Sequence, residues 1–157
     1  MLKRVRKGKL KQPQGGRFAI VASQYNERYV NAMLEAAERT LHGAGVATVM
    51  TFRVPGAYEI PVVVARLAHR HWPKLSAIIC LGVILRGATT HAQHIGEAVS
   101  QALAHIQIEH EIPIIHEVLL LENQAQARER CLDKNHNRGI EAARTALAMA
   151  RVMDGLP

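Results

Sequence analysis

The sequence predicts an α/β fold in which one four-stranded, mostly parallel sheet lies between two layers of helices. Two observations carry this prediction: four short apolar runs alternate with helical patterns, and no linker or internal repeat interrupts them. A chain of 157 residues is long enough to bury one such core. No apolar run approaches the roughly 18 residues that a membrane span needs, so we expect no membrane partner.

Each predicted strand is followed by a helix. The strands are expected at residues 18–22, 46–54, 77–81 and 112–121. Apolar residues at helical spacing predict helices at residues 30–41, from about 59 to 68, 91–106, 123–132 and 138–153. Gly43 and Gly45 end the first helix, and Pro55 and Gly56 end the second strand. In a flavodoxin-like strand order, ligands bind at the carboxyl ends of the first and third strands.

A loop rich in Gly and Thr, residues 82–90, leads from the third strand to a helix that begins near His91. This arrangement forms anion sites, because backbone N–H groups and the positive helix end point at the ligand. His91 adds the side chain best suited to proton transfer near neutral pH. Arg86 is either a phosphate clamp or a solvated loop residue. Thr89 and Thr90 are candidates for binding phosphate, for capping the helix, or for both.

Other candidate residues have a structural explanation beside the functional one. Tyr25 and Tyr58, two of only six aromatic residues, fall in strand-to-helix connections, where they stack on a ligand or pack on a helix. Glu59 begins a helix, which the helix dipole alone explains. His91 and His94 share the spacing of metal ligands, but no third ligand of matching spacing stands nearby, so we expect no metal.

The net charge of +7 is concentrated at the amino end of the chain. Six Lys and Arg residues lie at positions 3–11, with no acidic residue before Gly16, so the rest of the chain carries only +1. We expect residues 1–16 to form a disordered, solvated arm and residues 17–157 to form a single domain. Contact of the arm with nucleic acid or another polyanion is the alternative.

The chain shows no sign of export. Its first residues lack the apolar core of a secretory signal. Cys80 and Cys131 are distant thiols, which suits a reducing cytoplasm better than a disulfide framework. We expect Cys80 to be a buried small hydrophobe.

Three segments resemble the lumazine synthase family of riboflavin biosynthesis. They read Val-Pro-Gly-Ala-Tyr-Glu-Ile-Pro at 54–61, Leu-Gly-Val-Ile-Leu-Arg-Gly-Ala-Thr-Thr-His at 81–91, and Glu-Asn-Gln-Ala-Gln-Ala-Arg-Glu-Arg at 122–130, continuing to Asn-Arg-Gly at 137–139. The resemblance covers about residues 18–153 and leaves out the basic arm. It implies condensation of 5-amino-6-(D-ribitylamino)uracil with 3,4-dihydroxy-2-butanone 4-phosphate to 6,7-dimethyl-8-ribityllumazine, phosphate and water. It also implies that no metal or redox cofactor is needed.

The resemblance implies how the first substrate is bound. Tyr25 would stack on the pyrimidine ring, and Asn26 would help to line the ribityl pocket. Glu59, with the backbone around Ala57 and Tyr58, would bind the ribityl hydroxyls.

The resemblance also implies which residues contact the pyrimidine ring, bind the phosphate of the second substrate and transfer protons. Val83 and Ile84 would flank the ring, and Ala88 and Thr89 would cradle the substrate phosphate. His91 matches the family's proposed general acid/base.

The family's sites lie between the subunits of a pentamer, so the resemblance implies self-association as a pentamer or a multiple of it. Arg130 would clamp phosphate from the neighbouring subunit. Arg138 matches a Lys that approaches the ring, and His116 stands where an aromatic residue usually closes the ring pocket.

Several positions depart from the family pattern. Ala92 and Gln93 follow the catalytic His in place of an aromatic and an acidic residue, and Glu117 stands where Gly is common. These departures leave a second class open: a catalytically weakened paralogue that binds flavin or lumazine or forms shells. The archaeal-type riboflavin synthase, which shares the fold, is the alternative enzyme.

Overall fold

The computed structural model of the chain describes residues 16–157, so the predicted basic arm lies outside the described residues except for Gly16. The strands are β1 (Arg17–Ser23), β2 (Thr48–Val54), β3 (Ala77–Leu85) and β4 (Ile114–Leu121). The helices are α1 (Glu27–Gly43), α2 (Ile60–Arg70), α3 (His91–His110), α4 (Gln124–Ala127) and α5 (Arg138–Asp154). A 3-10 turn (Ala57–Glu59) precedes α2, and a π-helical turn (Arg128–Leu132) follows α4.

The four strands form one sheet in the order β2-β1-β3-β4, and all three pairings are parallel. This confirms the predicted α/β fold and its flavodoxin-like strand order. The winding reverses between β1 and β3, so a crevice is expected outside their carboxyl ends. β2 and β4 are the outer strands of the four.

Two apolar clusters fill the space on the two faces of the sheet. Phe18 and Ile79 belong to the cluster shared with α1 and α5. Val21 and Cys80 belong to the cluster shared with α2 and α3. Cys80 is buried as predicted, and burial raises the pKa of its thiol. Cys131 is also buried, and loss of solvation raises the pKa of its thiol to about 12.

The third strand is longer than the sequence predicted. It continues past Leu81 to Leu85, because β4 pairs with it from Ile78↔Ile114 to Leu85↔Leu121. Gly82, Val83 and Ile84 are therefore strand residues, and the loop before α3 shrinks to residues 86–90.

Three other predicted boundaries need correction. β2 begins at Thr48, because the Val46 N–H still bonds to the Leu41 carbonyl and closes the end of α1. β4 begins at Ile114 rather than 112. The helix expected at 123–132 is an α-helix for only one turn and continues as the π-helical turn.

Helices α1 and α5 approach closely at Gly139. A Cβ at this position would overlap the Met33 carbonyl, so the contact requires glycine. The Asn137 side chain accepts a hydrogen bond from Gly139 N at 2.8 Å and caps α5. No helix within residues 16–157 is both long enough and apolar enough to cross a membrane.

Candidate active site

The connections after β1 and β2 are tied together at the carboxyl end of the sheet. Gln24 N donates to the Val54 carbonyl at 2.7 Å, and Tyr25 N donates to the Pro55 carbonyl at 3.0 Å. The Tyr25 side chain is nevertheless 75% exposed. An exposed aromatic ring on a fixed backbone is available for stacking.

Asn26 connects the same loop to β3. Its backbone is left-handed, with φ 57° and ψ 42°, a conformation that Asn tolerates better than most residues. Its Nδ2 donates to the Val83 carbonyl at 2.7 Å. The loop that carries Tyr25 is thereby fixed to the neighbouring strand, where Val83 is buried and Ile84 half-buried.

The segment after β2 forms the 3-10 turn Ala57–Glu59, which packs against α3 and β3. The Glu59 carboxylate turns back over Gly56, where an added Cβ would lie 2.9 Å from Oε2. Tyr58 is 64% exposed, so most of its surface is open to a ligand. Pro61 lies in the first turn of α2, where its missing N–H leaves no helical hydrogen bond unmade.

The loop between β3 and α3 carries the predicted phosphate site. Ala88, Thr89 and His91 are exposed, and His91 is the first residue of the 20-residue helix α3. His91 N donates to Thr89 Oγ1 at 3.4 Å, a long helix-capping bond. The first N–H groups of a helix lack helical partners and carry partial positive charge. The loop can therefore accept an anion beside the His91 imidazole.

Two residues of this loop have structural partners. Arg86 Nε lies 3.1 Å from Glu122 Oε1 in an ion pair, and Arg86 N donates to the Leu121 carbonyl. Thr90 does not cap α3 through its side chain. Its hydroxyl lies 3.3 Å from His94 Nε2 instead. Within residues 16–157, no three His, Cys, Asp or Glu side chains are grouped as a metal site requires.

His116 lies on the outer strand β4 and belongs to a chain of hydrogen bonds. Val118 N donates to its Nδ1 at 3.2 Å, so the ring proton is on Nε2, which lies 2.7 Å from Ser100 Oγ. The Ser100 hydroxyl in turn donates to the Gly96 carbonyl at 2.8 Å. Loss of solvation lowers the pKa of His116, which favours the neutral ring.

Glu117 and Arg138 form a bidentate ion pair. Arg138 Nη2 lies 2.7 Å from Glu117 Oε1, and Nε lies 3.1 Å from Oε2. Glu117 is only 7% exposed, and burial raises the pKa of its carboxyl while the hydrogen bond from Arg138 lowers it. The same hydrogen bond raises the pKa of Arg138.

Sequence reasoning named both residues of this pair without joining them, because 21 positions separate them. Glu117 follows His116 on β4, so its side chain points to the opposite face of the sheet, where α5 packs. The packing of α5 against β4 was the feature of the fold from which the pair could have been predicted. Arg130 is exposed on the π-helical turn, close enough for its charge to lower the pKa of Glu117 slightly.

The structure thus brings most of the candidate residues together at the carboxyl ends of β1, β2 and β3. This group comprises Tyr25, Asn26, Ala57, Tyr58, Glu59, Val83, Ile84, Ala88, Thr89 and His91. Arg130, His116 and Arg138 belong to a second region around β4 and the start of α5. An open groove of about 480 Å³ lies between α3 and β4, lined by Arg86, Gln93, Glu97 and Ser100 among others.

Comparison with known proteins identifies the family. A family model described as 6,7-dimethyl-8-ribityllumazine synthase matches residues 15–154. A protein of that name from Stenotrophomonas maltophilia (strain R551-3) is 36% identical over 152 residues, covering 96% of this chain and 97% of the relative. A protein of the same name from Clostridium kluyveri is 38% identical over the same shares of both chains. The chain therefore belongs to the 6,7-dimethyl-8-ribityllumazine synthase family.

Proposed function

We propose that this chain condenses 5-amino-6-(D-ribitylamino)uracil with 3,4-dihydroxy-2-butanone 4-phosphate at the carboxyl end of its sheet. The products are 6,7-dimethyl-8-ribityllumazine, phosphate and water. The observation that carries the proposal is the exposed start of α3, where the first N–H groups of the helix can bind an anion beside His91. The exposed ring of Tyr25, on a backbone tied to Pro55, lies at the same end of the sheet.

The pyrimidine substrate is assigned to the tied loops after β1 and β2. Tyr25 stacks on the ring, and Val83 and Ile84 flank it from β3. The ribityl chain carries hydroxyl groups, which suit the Glu59 carboxylate and the backbone of the 3-10 turn at Ala57 and Tyr58. Asn26 uses its Nδ2 to hold the Val83 carbonyl, so its side-chain oxygen is the group left to line this pocket.

The phosphate substrate is assigned to the loop before α3. Ala88 and Thr89 offer exposed backbone groups, and the helix end supplies partial positive charge. His91 then lies beside the carbon skeleton that loses phosphate. In our proposal its imidazole takes and returns protons during imine formation and phosphate elimination, a role that commonly contributes about 10²–10⁴-fold. The residues in this scheme need no metal or redox group.

The second region is assigned to the site of an adjacent chain. Arg130 and Arg138 carry positive charge, and His116 a neutral ring, on β4 and the segments that follow it. Self-association as a pentamer, or a multiple of it, would bring these groups to the neighbour's substrates. The two cysteines, Cys80 and Cys131, are both buried and unpaired, which supports a cytoplasmic location.

The proposal is tested by mixing the purified full-length chain with the two substrates and following the fluorescence of the lumazine product. Turnover well above the spontaneous condensation supports it. A rate equal to the spontaneous one contradicts it. Supplying the lumazine product alone separates this activity from that of a riboflavin synthase, which would convert it further.

A further inference from the structure

Glu117 has no role in the function proposed above, yet it is the most deeply buried acidic side chain among residues 16–157. Burying a carboxylate is unfavourable unless strong hydrogen bonds compensate. Both of its oxygens accept hydrogen bonds from the single Arg138 guanidinium, at 2.7 and 3.1 Å. Two parallel bonds of this kind fix the plane of the guanidinium as well as its position.

The backbone at Arg138 is fixed at the same time. Asn137 Oδ1 accepts from Gly139 N, and Asn137 Nδ2 donates to the Cys131 carbonyl at 2.7 Å and to the Ala32 carbonyl at 3.2 Å. Arg138 is thus held at its main chain by Asn137 and at its head group by Glu117. A long, flexible side chain held at both ends has one orientation available to it.

The head group still has donors to offer. The pair with Glu117 occupies Nε and one N–H of Nη2, so within residues 16–157 both N–H groups of Nη1 and the second of Nη2 stay free for an acceptor. The Arg138 side chain is 25% exposed, against 9% for Glu117. The exposed part of the pair is therefore the arginine.

We propose that Glu117 is a positioning residue that, through the bidentate pair on the inner side of Arg138, aims the free guanidinium N–H groups at the pyrimidine substrate. This inference rests on the role proposed for Arg138. Glu117 does not touch the substrate, so its effect on binding passes entirely through Arg138. Removing its charge releases the guanidinium without removing the donors.

The test compares Glu117→Gln, Arg138→Met and the double variant by steady-state kinetics. Glu117→Gln is expected to raise KM for the ribitylaminouracil about tenfold, the loss of one oriented, charge-assisted hydrogen bond. KM for the butanone phosphate and kcat are expected to change less than about twofold, since neither depends on Arg138. Glu129→Gln, the same chemical change on the exposed π-helical turn, is the control and should leave both KM values unchanged.

The double variant separates positioning from a merely structural role. If Glu117 acts through Arg138, adding Glu117→Gln to Arg138→Met leaves KM where Arg138→Met alone has set it. A further multiplication of KM in the double variant, or equal rises for both substrates after Glu117→Gln, would overturn the inference.

A spectroscopic measurement keeps the inference testable where a variant is unstable or turnover is absent. In NMR spectra of the full chain, the Arg138 Nε–H signal, identified by its loss in Arg138→Met, should be protected from exchange and should lose that protection in Glu117→Gln. Protection that survives Glu117→Gln would overturn the inference. A wild-type chain with no turnover would contradict the proposed function, while the exchange measurement would still decide whether Glu117 fixes the Arg138 guanidinium.

Discussion

The two regions that carry the candidate residues are built in opposite ways. At the carboxyl ends of β1, β2 and β3, the backbone is tied between loops while the side chains stay exposed, as Tyr25 and Tyr58 show. Around β4, the side chains themselves are paired: His116 with Ser100, and Glu117 with Arg138. The first region offers free groups to a ligand. In the second region the orientation of His116 and Arg138 is already set, while Arg130 is exposed.

This difference indicates two kinds of contribution to one reaction. Free aromatic and backbone groups suit the recognition of a ring and a phosphate, and an exposed His91 suits proton transfer. Groups fixed by partners of their own chain suit a surface that is presented to another molecule without rearrangement. The predictions below test whether the two regions behave differently when each is disturbed.

The largest expected effect concerns His91. His91→Ala should lower kcat about 10²–10⁴-fold with little change in the free energy of unfolding, because the side chain is exposed and acts as a proton carrier. His94→Ala, one turn further along α3, is the matched control and should stay within a few-fold of the wild type. Equal losses in both variants, measured in the fluorescence assay, would contradict the assignment of His91.

Within the second region, Gly139 should be the position that tolerates an added side chain least. Gly139→Ala introduces a Cβ that overlaps the Met33 carbonyl, which should lower the free energy of unfolding by about 3 kcal/mol. Urea unfolding measures this change. Gly43→Ala is the control, since an added Cβ there meets no atom within 4 Å and should be neutral or slightly stabilising. A stable Gly139→Ala variant would mean that the α1–α5 contact is looser than described.

Tyr25 should affect binding without affecting stability. Because its side chain is 75% exposed, Tyr25→Ala is expected to leave the melting temperature unchanged and to raise KM for the ribitylaminouracil about tenfold through lost stacking. Trp72→Ala removes an aromatic side chain that is 86% exposed at the opposite end of the sheet, before β3. It should change neither quantity. A rise of KM in both variants would refute a specific stacking role.

The smallest expected effect is a pH dependence from His116. Its pKa in the folded chain lies below the ordinary value of 6.5, so below that pH the unfolded chain takes up protons that the folded chain does not. The contribution of His116 to the free energy of unfolding should therefore be fully present above about pH 6.5. It should decrease as the pH falls towards the pKa of His116 in the folded chain. His116→Gln should remove this part of the decrease in urea unfolding at a series of pH values. A decrease of the same size in the variant would show that other groups cause it.

The sequence was sufficient for the fold because β1 and most of β3 are buried apolar runs that alternate with helical patterns. Apolar runs such as 77–81 can be placed in a parallel sheet without knowing any contact. The end of β3 was missed because the apolar residues Val83, Ile84 and Leu85 could belong to a strand or to a loop. Only their pairing with β4 shows that they continue the strand. Local patterns also cannot show that Tyr25 N bonds to the Pro55 carbonyl or that Glu117 meets Arg138. The roles of the site residues stay predictions that kinetics must test.

The central claim, that the two regions act together across neighbouring chains, has a direct test in subunit complementation. His91→Ala damages the first region and Arg130→Ala the second, so each variant alone should be nearly inactive. When the two are unfolded and refolded as an equal mixture, about a quarter of the interfaces should combine an intact first region with an intact second region. The account predicts recovery of about a quarter of the wild-type activity in the mixture. Activity that stays at the mean of the two separate variants would place both regions in the same site of a single chain and contradict the account.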